Sequence, residues 1–502
     1  MREAEARYWL RPMMVVAALF VAALPLLWPA IPPLTDLPGH IGRYHVMLAG
    51  PDAPTAAWYH FEWRLVPNLA GDLLVAALAP AIGLLPAAKL VAVGTPVLTV
   101  AAALWLSREV HGRISPTAFL ALPLAYNQAF LAGFVNYALA MAGALAGLAL
   151  WLRLERLGKR RLRAALMVPV GALLWVMHAY GWAVLALTTF AVELHRRRGR
   201  GFVRAISGAA LSCVPLALPL LLMLAWRSGS GGLTHGFLEA DTKLLALATV
   251  LRDRWAAWDL ACLGALGFGT YVAVRRGWVT AAPALLWCAL ALAIAFLALP
   301  KWLFGSALAD ARLAPYAILL ALMALRPRAD AAKGVGIAIL VFVLLRMAGL
   351  ALSMALYDAD YRDELRALAH LPENVRLASL VSPGCDRHWA DSRLDHLGGL
   401  ALARRNAFSN EQWALAGAPL VRITPPVGAG AFAADPSQFL RCEPDQVAKG
   451  LGRIPRTAFD YVWVIAADGP PPRASAGMER IWAQGNSALY RTSEAATAAS
   501  RS

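Results

Sequence analysis

The sequence predicts a polytopic α-helical membrane protein of about eleven spans with a small C-terminal extracytoplasmic α/β domain. Three observations predict it. Of 502 residues, 59% are hydrophobic and only 16% are charged, where about a quarter is usual for a soluble domain. Apolar runs of about 20 residues, the length that crosses a bilayer, recur through the first 356 positions. The formal net charge of +16 is confined to those positions, which hold 31 basic and 15 acidic side chains, while 357–502 hold 16 of each. Basic charge between apolar runs orients membrane helices. It therefore points away from nucleic acid, and the composition excludes a disordered chain, a disulfide-dense scaffold and an ordinary soluble enzyme.

Taken in order, the first span covers 12–31. It follows Arg2, Arg7 and Arg11 and is too long for the apolar core of a signal peptide, so it reads as an uncleaved helix. Residues 90–107 make the next span. The run 116–152 exceeds one crossing and is interrupted by Tyr126-Asn127-Gln128 and Asn136-Tyr137, so it splits into two helices. Residues 164–193 form a similar hairpin broken at His178-Ala179-Tyr180-Gly181. Spans follow at 205–226, 258–274, 279–299, 313–326 and 335–356. The segment 72–89 decides the threading. If it lies in the interface rather than crossing, the basic stretches 108–113, 153–163, 196–204, 275–276 and 326–333 share the cytoplasmic side, as the positive-inside bias requires. The N-terminus is then cytoplasmic and the tail extracytoplasmic, in a multi-pass protein of the cell (inner) membrane.

This divides the chain into a membrane domain, 1–356, with a first outer loop over 32–89, and an extracytoplasmic domain, 357–502. The tail alternates helical and strand signals: a helix over 361–370, strands at 375–381 and 461–466, and two short strands joined at Gly485-Asn486. Cys213, Cys262 and Cys288 fall in spans and read as packing residues. Cys385 and Cys442 lie in the tail, where an oxidising compartment would let them pair or leave them as two thiols. No internal repeat is visible, and Ser228–Gly232 reads as a flexible loop tip rather than a phosphate loop.

The candidate chemistry gathers on the outer side. Asp36 follows the first span within Pro32-Pro33-Leu34-Thr35-Asp36-Leu37-Pro38-Gly39-His40, with Arg43 and His45 close behind. One reading makes Asp36 a helix N-cap before Pro38. The other makes this group of one acid, two His and one Arg a reaction centre. Trp58, Phe61 and Leu65 have helical spacing and suggest an amphipathic surface helix, with Glu62 as a second, partly buried acid. His178 and Tyr180 mark a hairpin tip. Lys301 and Arg312 put cations beside the membrane, with Asp310 or a phosphate as the partner of Arg312. Arg346 is the one charge deep in a span.

A first span, a long outer loop with an acid just past the membrane, surface helices, hairpins with polar tips and an outer α/β tail together resemble the GT-C superfamily. These are membrane glycosyltransferases that use polyprenyl-phosphate-linked sugars. The likeness covers nearly the whole chain as architecture, and at motif level it rests on Asp36. Leu37 stands where the usual acidic pair has its second acid, which places the chain on a divergent branch and leaves a divalent metal open as cofactor, with no metal ligand assigned. The resemblance implies inverting transfer from the lipid-linked donor to a glycan, lipid or protein acceptor, with Asp36 as general base. It also implies Arg312, Lys301, Arg43 and His178 as cations for the phosphate, and His40 or His45 orienting Asp36 or touching the acceptor. The rival readings are a transporter or flippase, a lipid-linked polymerase or ligase, and a non-catalytic envelope assembly protein.

Overall fold

The structure, a computed structural model, describes residues 12–225, 234–385, 389–390, 392–413, 420–475 and 477–493. The chain forms two compact units. The first is Met1–Trp28, Leu65–Leu73 and Leu90–Ser353; the second is Pro29–Arg64, Leu74–Lys89 and Met354–Ser502. The expected boundary at 356/357 falls inside one continuous helix, Ala332–Glu364.

The first unit is helical. Among the described residues four helices are long and apolar enough to cross a membrane: Leu84–His111, Val135–Arg156, Ala256–Arg275 and the stretch Ala332–His370. Shorter apolar helices include Pro12–Leu27, Phe202–Leu216, Pro283–Ala298 and Ala311–Ala324. Burial separates inner helices from outer ones. Val135–Arg156 has 78% of its apolar window covered, against 17% for Ala256–Arg275. The latter leaves Phe268, Tyr271 and Val274 exposed, an apolar surface that water would penalise and lipid would accept. The count of about eleven crossings belongs to the sequence reading; four full-length helices are what the described residues display.

Helix breaks follow local chemistry. His178 takes an extended backbone between Arg160–Met177 and Ala179–Arg197, and its ring accepts from Tyr180 N. The polar residues of the earlier run are buried rather than left at a wet tip. The Tyr126 hydroxyl donates to Ala22 O at 2.6 Å, and the Asn136 amide donates to Asn68 O at 2.8 Å. The buried charge of Arg346 is met by Asp259 at 2.5 Å, as a charge in an apolar surrounding requires. The basic stretch around 153–163 is partly neutralised, because buried Glu109 holds Arg153 and Arg156, while Glu193 and Glu155 hold Arg163. Two short strands, β2 (Val279–Ala281) and β3 (Leu325–Pro327), pair antiparallel in this unit.

In the second unit the ladder β1 (Tyr59–Phe61) with β6 (Val421–Ile423) lies apart from a six-stranded sheet. That sheet has β4 (Arg376–Val381), β5 (Phe408–Ser409), β7 (Tyr461–Ile465), β8 (Ala474–Ser475), β9 (Met478–Gln484) and β10 (Ser487–Thr492) in the order β5-β4-β7-β10-β9-β8. Neighbours β5, β4 and β7 are parallel and the rest antiparallel. The apolar run of β7 is buried along its whole length, as a strand covered on both faces demands. Its core joins Leu380, Val462 and Val464 to Val46, Tyr59, Leu402 and Phe408. Cys385 and Cys442 form a disulfide.

One expectation for the first outer loop is corrected. Residues 59–61 are strand, not amphipathic helix: Tyr59 faces the core, His60 faces out, and backbone pairing with Val421–Ile423 replaces helical hydrogen bonds. Three apolar residues at helical spacing were too few to outweigh that pairing. The stretch 32–89 is partly helical. It contains helices Leu37–Ala49 and Ala70–Ile82, and the Leu84–His111 helix begins inside it. The glycine-rich 228–232 lies outside the described residues.

Candidate functional site

Asp36 sits at the start of the Leu37–Ala49 helix, where Pro38 presets the first turn, yet its carboxylate makes no capping hydrogen bond. The capping role is therefore left aside, and the side chain points to another partner: Oδ1 lies 3.7 Å from His396 Nε2. The segment before it is held from the tail, since Arg393 Nη1 donates to Pro33 O at 2.8 Å and the Tyr361 hydroxyl donates to Arg393 O at 2.6 Å. Asp36 thus has a defined position before any ligand arrives.

Close packing of small residues brings His396 there. A Cβ on Gly399 would lie 2.5 Å from Pro38 O, and one on Gly39 would lie 2.6 Å from Trp413 Cη2. Only glycine permits these two approaches, which bring the Leu37–Ala49 helix against the Gly399–Arg405 helix and lay Trp413 across it. The imidazole of His396 is then enclosed. Nδ1 lies 3.3 Å from Glu411 Oε2, the Gln438 amide nitrogen lies 3.3 Å from Nδ1 and donates to Asp435 at 2.9 Å, and the Trp413 ring stands 4.4 Å from the His396 ring. The other Glu411 oxygen accepts from Gln412 Nε2 at 2.5 Å, and that amide also donates to Gly39 O at 2.9 Å.

The electrostatics follow from this enclosure. Burial by itself would lower the His396 pKa. The hydrogen bond to Glu411 and the charges of Asp36, Glu411 and Asp435 outweigh it and push the value up to about 9. His396 is therefore an imidazolium at neutral pH. Burial raises Glu411, opposed by His396, and burial also raises Asp435. His40 goes the other way. Burial, Arg43 and His396 hold it well below the ordinary histidine value, so it is a neutral ring 5.0 Å from Trp413. Side-chain exposure is nil for Glu411, 8% for His396 and 20% for Asp36. Of these three groups, Asp36 is the one a ligand reaches most readily.

The remaining expected residues fall elsewhere. Arg43 packs its guanidinium 5.5 Å from the Tyr44 ring. His45 Nε2 lies 2.9 Å from Asn406 Oδ1, which fits a structural tie. Glu62 is exposed and pairs with Arg64 at 2.6 Å, so the expectation of a partly buried second acid is corrected: on a short strand His60 and Glu62 do not share the inward face of Tyr59.

In the first unit, His178, Tyr180 and Arg312 do come together. The Arg312 guanidinium lies 4.3 Å from the Phe134 ring and 5.8 Å from those of Tyr137 and Tyr180. It donates to Ser306 Oγ at 3.0 Å and to Ala307 O at 2.9 Å. The Tyr180 hydroxyl donates to Ala309 O at 2.7 Å. Asp310, one of the two partners considered for Arg312, is engaged by Lys243 at 2.6 Å. Lys301 is half-buried, and its backbone pairs with Gly236.

His396, Glu411, Trp413 and Gln438 were not singled out from sequence. The available signal was modest: a polar Asn410-Glu411-Gln412-Trp413 run in the tail and a histidine just before Gly398-Gly399. Among the described residues no group of three or more His, Cys, Asp or Glu is placed to hold a metal ion.

Fold and site together define a helical membrane protein whose second, strand-containing unit holds a buried imidazole between two carboxylates. The chain matches no known protein-family model and no curated protein sequence. Among solved structures it is similar to the crystal structure of the Archaeoglobus fulgidus oligosaccharyltransferase in complex with Zn and sulfate. The likeness has 14% identity over 90% of this chain and 67% of that one, with a TM-score of 0.40. A likeness that loose transfers no residue roles, and the functional reading rests on this chain's own side chains.

Proposed function

We propose that the protein is a membrane glycosyltransferase that moves a sugar from a polyprenyl-phosphate donor to an extracytoplasmic glycan, lipid or protein acceptor, with Asp36 as general base. The observation that carries this reading is the Asp36–His396–Glu411 arrangement. An accessible carboxylate stands shortly after the apolar helix Pro12–Leu27, with its capping role unused and its position set by a buried cation.

In the step proposed, an acceptor hydroxyl oxygen attacks the anomeric carbon as Asp36 takes its proton. The new oxygen–carbon bond forms as the bond from that carbon to the phosphate oxygen breaks. The electron pair leaves on the phosphate, and displacement in line inverts the centre. The His396 imidazolium, itself held by Glu411, stands beside the Asp36 carboxylate and fixes its direction. The role resembles that of a buried carboxylate behind a catalytic histidine with the charges exchanged. Arg43, two helical turns on from Asp36, is the candidate in this unit for countering charge on the phosphate. The same reading places the protein in the cell (inner) membrane with about eleven crossings, the N-terminus cytoplasmic and the tail outside.

The test compares lipid-linked sugars in cells lacking the protein, complemented with wild type or Asp36→Asn. A polyprenyl-phosphate sugar should accumulate in the null strain and clear with wild type. The Asn variant, present in the membrane at equal amount, should leave it accumulated, since a lost general base lowers rates about 10²- to 10⁴-fold. Full clearance by Asp36→Asn would remove the base assignment. No accumulation in the null strain would remove the transferase reading itself.

A further inference from the structure

Part of the basic charge in the first unit is gathered around one space rather than distributed over ion pairs. Arg113, Arg326 and Arg328, with Thr280 and Asp330, line a cavity of about 670 Å³. Its frame is tied by backbone. Thr280 and Arg326 stand opposite each other in the β2–β3 ladder, and Arg328 N extends it by donating to Trp278 O at 2.8 Å. The loop carrying Arg113 is fastened to β3 and to the helix before it, because the Thr117 hydroxyl donates to Leu325 O at 2.7 Å and His111 Nε2 lies 2.8 Å from Met323 O. Three arginines from two segments thus line one volume. The single acid lining it, Asp330, lies 3.6 Å from Arg328, which leaves three positive charges against one negative.

The cavity's level in the chain indicates what fills it. Helices Leu84–His111, Ala256–Arg275 and Ala314–Ala324 end just before its lining residues, and Pro283–Ala298 and Ala332–Glu364 start just after them. Apolar helices all terminating around one basic cavity place it where hydrocarbon gives way to headgroups. Trp278, 42% exposed beside β2, is the residue type that sits at that level. Guanidinium forks match phosphate oxygens in geometry as well as charge, and basic pockets between membrane helices suit anionic headgroups. We propose that this cavity binds the phosphate of an anionic phospholipid headgroup. The proposal is independent of the transferase reading.

The test uses the full chain in nanodiscs of phosphatidylcholine containing about one fifth phosphatidylglycerol, a charge excess suited to screening-sensitive binding. Lipids retained after mild detergent release are counted by native mass spectrometry. Wild type should be enriched in phosphatidylglycerol. Arg326→Gln/Arg328→Gln should lose that enrichment roughly thirtyfold, since two basic residues are removed and each contributes about 1 kcal/mol of attraction near a membrane surface. Arg275→Gln/Arg276→Gln, which removes two exposed cations outside the cavity lining, should keep it. Equal losses in both variants would show a general basic surface and overturn the site, as would a wild type without enrichment. Millimolar inorganic phosphate should not displace the lipid. If phosphate displaces it, and raises the melting temperature in phosphatidylcholine alone, the cavity takes a free anion and the lipid assignment fails.

Discussion

Replacing His396 with Gln tests the charge arrangement around Asp36 directly. His396 is almost enclosed, with Asp36 on Nε2, Glu411 on Nδ1, Asp435 reached through Gln438, and Trp413 beside the ring. Raising its pKa from 6.5 to about 9 means that the folded chain holds this proton more tightly than the unfolded chain. At about 1.4 kcal/mol per pKa unit, the difference is on the order of 3 kcal/mol. The sign is set by the direction of the shift. The contribution is complete below about pH 6.5 and disappears as pH rises through about 9. For a unit of this size each kcal/mol moves the melting temperature by about 2–4 °C, so wild type in detergent should lose roughly 6–12 °C between pH 6.5 and 9.5. His396→Gln should melt lower at pH 6.5, because Glu411 loses its buried cation, and should show little of the alkaline decline. Glu411→Gln should move the decline to lower pH, because the largest force raising the histidine is gone. An unchanged decline in His396→Gln would refute the reasoning, since another group would then be titrating.

Three further predictions concern packing and covalent structure. Gly399→Ala places a methyl 2.5 Å from Pro38 O and 2.9 Å from Glu411 Oε1. It should cost about 1–3 kcal/mol in thermal unfolding, whereas Gly452→Ala, with nothing within 4 Å, should be neutral or stabilise by up to about 1 kcal/mol. Asp259→Asn leaves the Arg346 guanidinium in an apolar surrounding without its 2.5 Å carboxylate. A loss of about 3–5 kcal/mol is expected, and the all-apolar pair Asp259→Leu/Arg346→Met should recover most of it in the same melting assay. Cys385→Ser/Cys442→Ser opens a link spanning 57 residues. Chain-entropy reasoning puts its contribution at about 4 kcal/mol, and a reducing agent applied to wild type should lower the melting temperature by the same amount as the double variant.

Much of the architecture is legible in local patterns. Several apolar runs and the break at His178 are legible, because a helix in lipid is specified by its own 20 or so residues and its own backbone hydrogen bonds. By contrast, Asn136-Tyr137 lies inside the Val135–Arg156 helix, and 116–131 forms only short helical turns. The strands β4, β7, β9 and β10 are legible for a similar reason, each being a short apolar or alternating run closed by turn residues. Strand β1 is not. Tyr59–Phe61 is too short to carry a period, and its conformation is set by Val421–Ile423, hundreds of residues further along. Asp36, His40 and Arg43 stand out in sequence because charge next to a span is costly, but which partner each would meet does not. Asp310 goes to Lys243 rather than the nearby Arg312, and Glu62 turns to solvent.

The sequence by itself determined that this is a membrane protein, where many of its apolar helices lie, that its tail carries strands, and that the acid after the first apolar helix stands alone without a neighbouring acid. These are properties of composition and short-range period. The tertiary structure decided what surrounds that acid. His396 and Glu411 are ordinary tail residues until glycines at 39 and 399 let two helices approach within contact of each other's backbone. The reason is physical: a pKa, an ion pair or a buried cation depends on distances across the fold, and a linear pattern carries no distance between residues that meet only when the chain is folded.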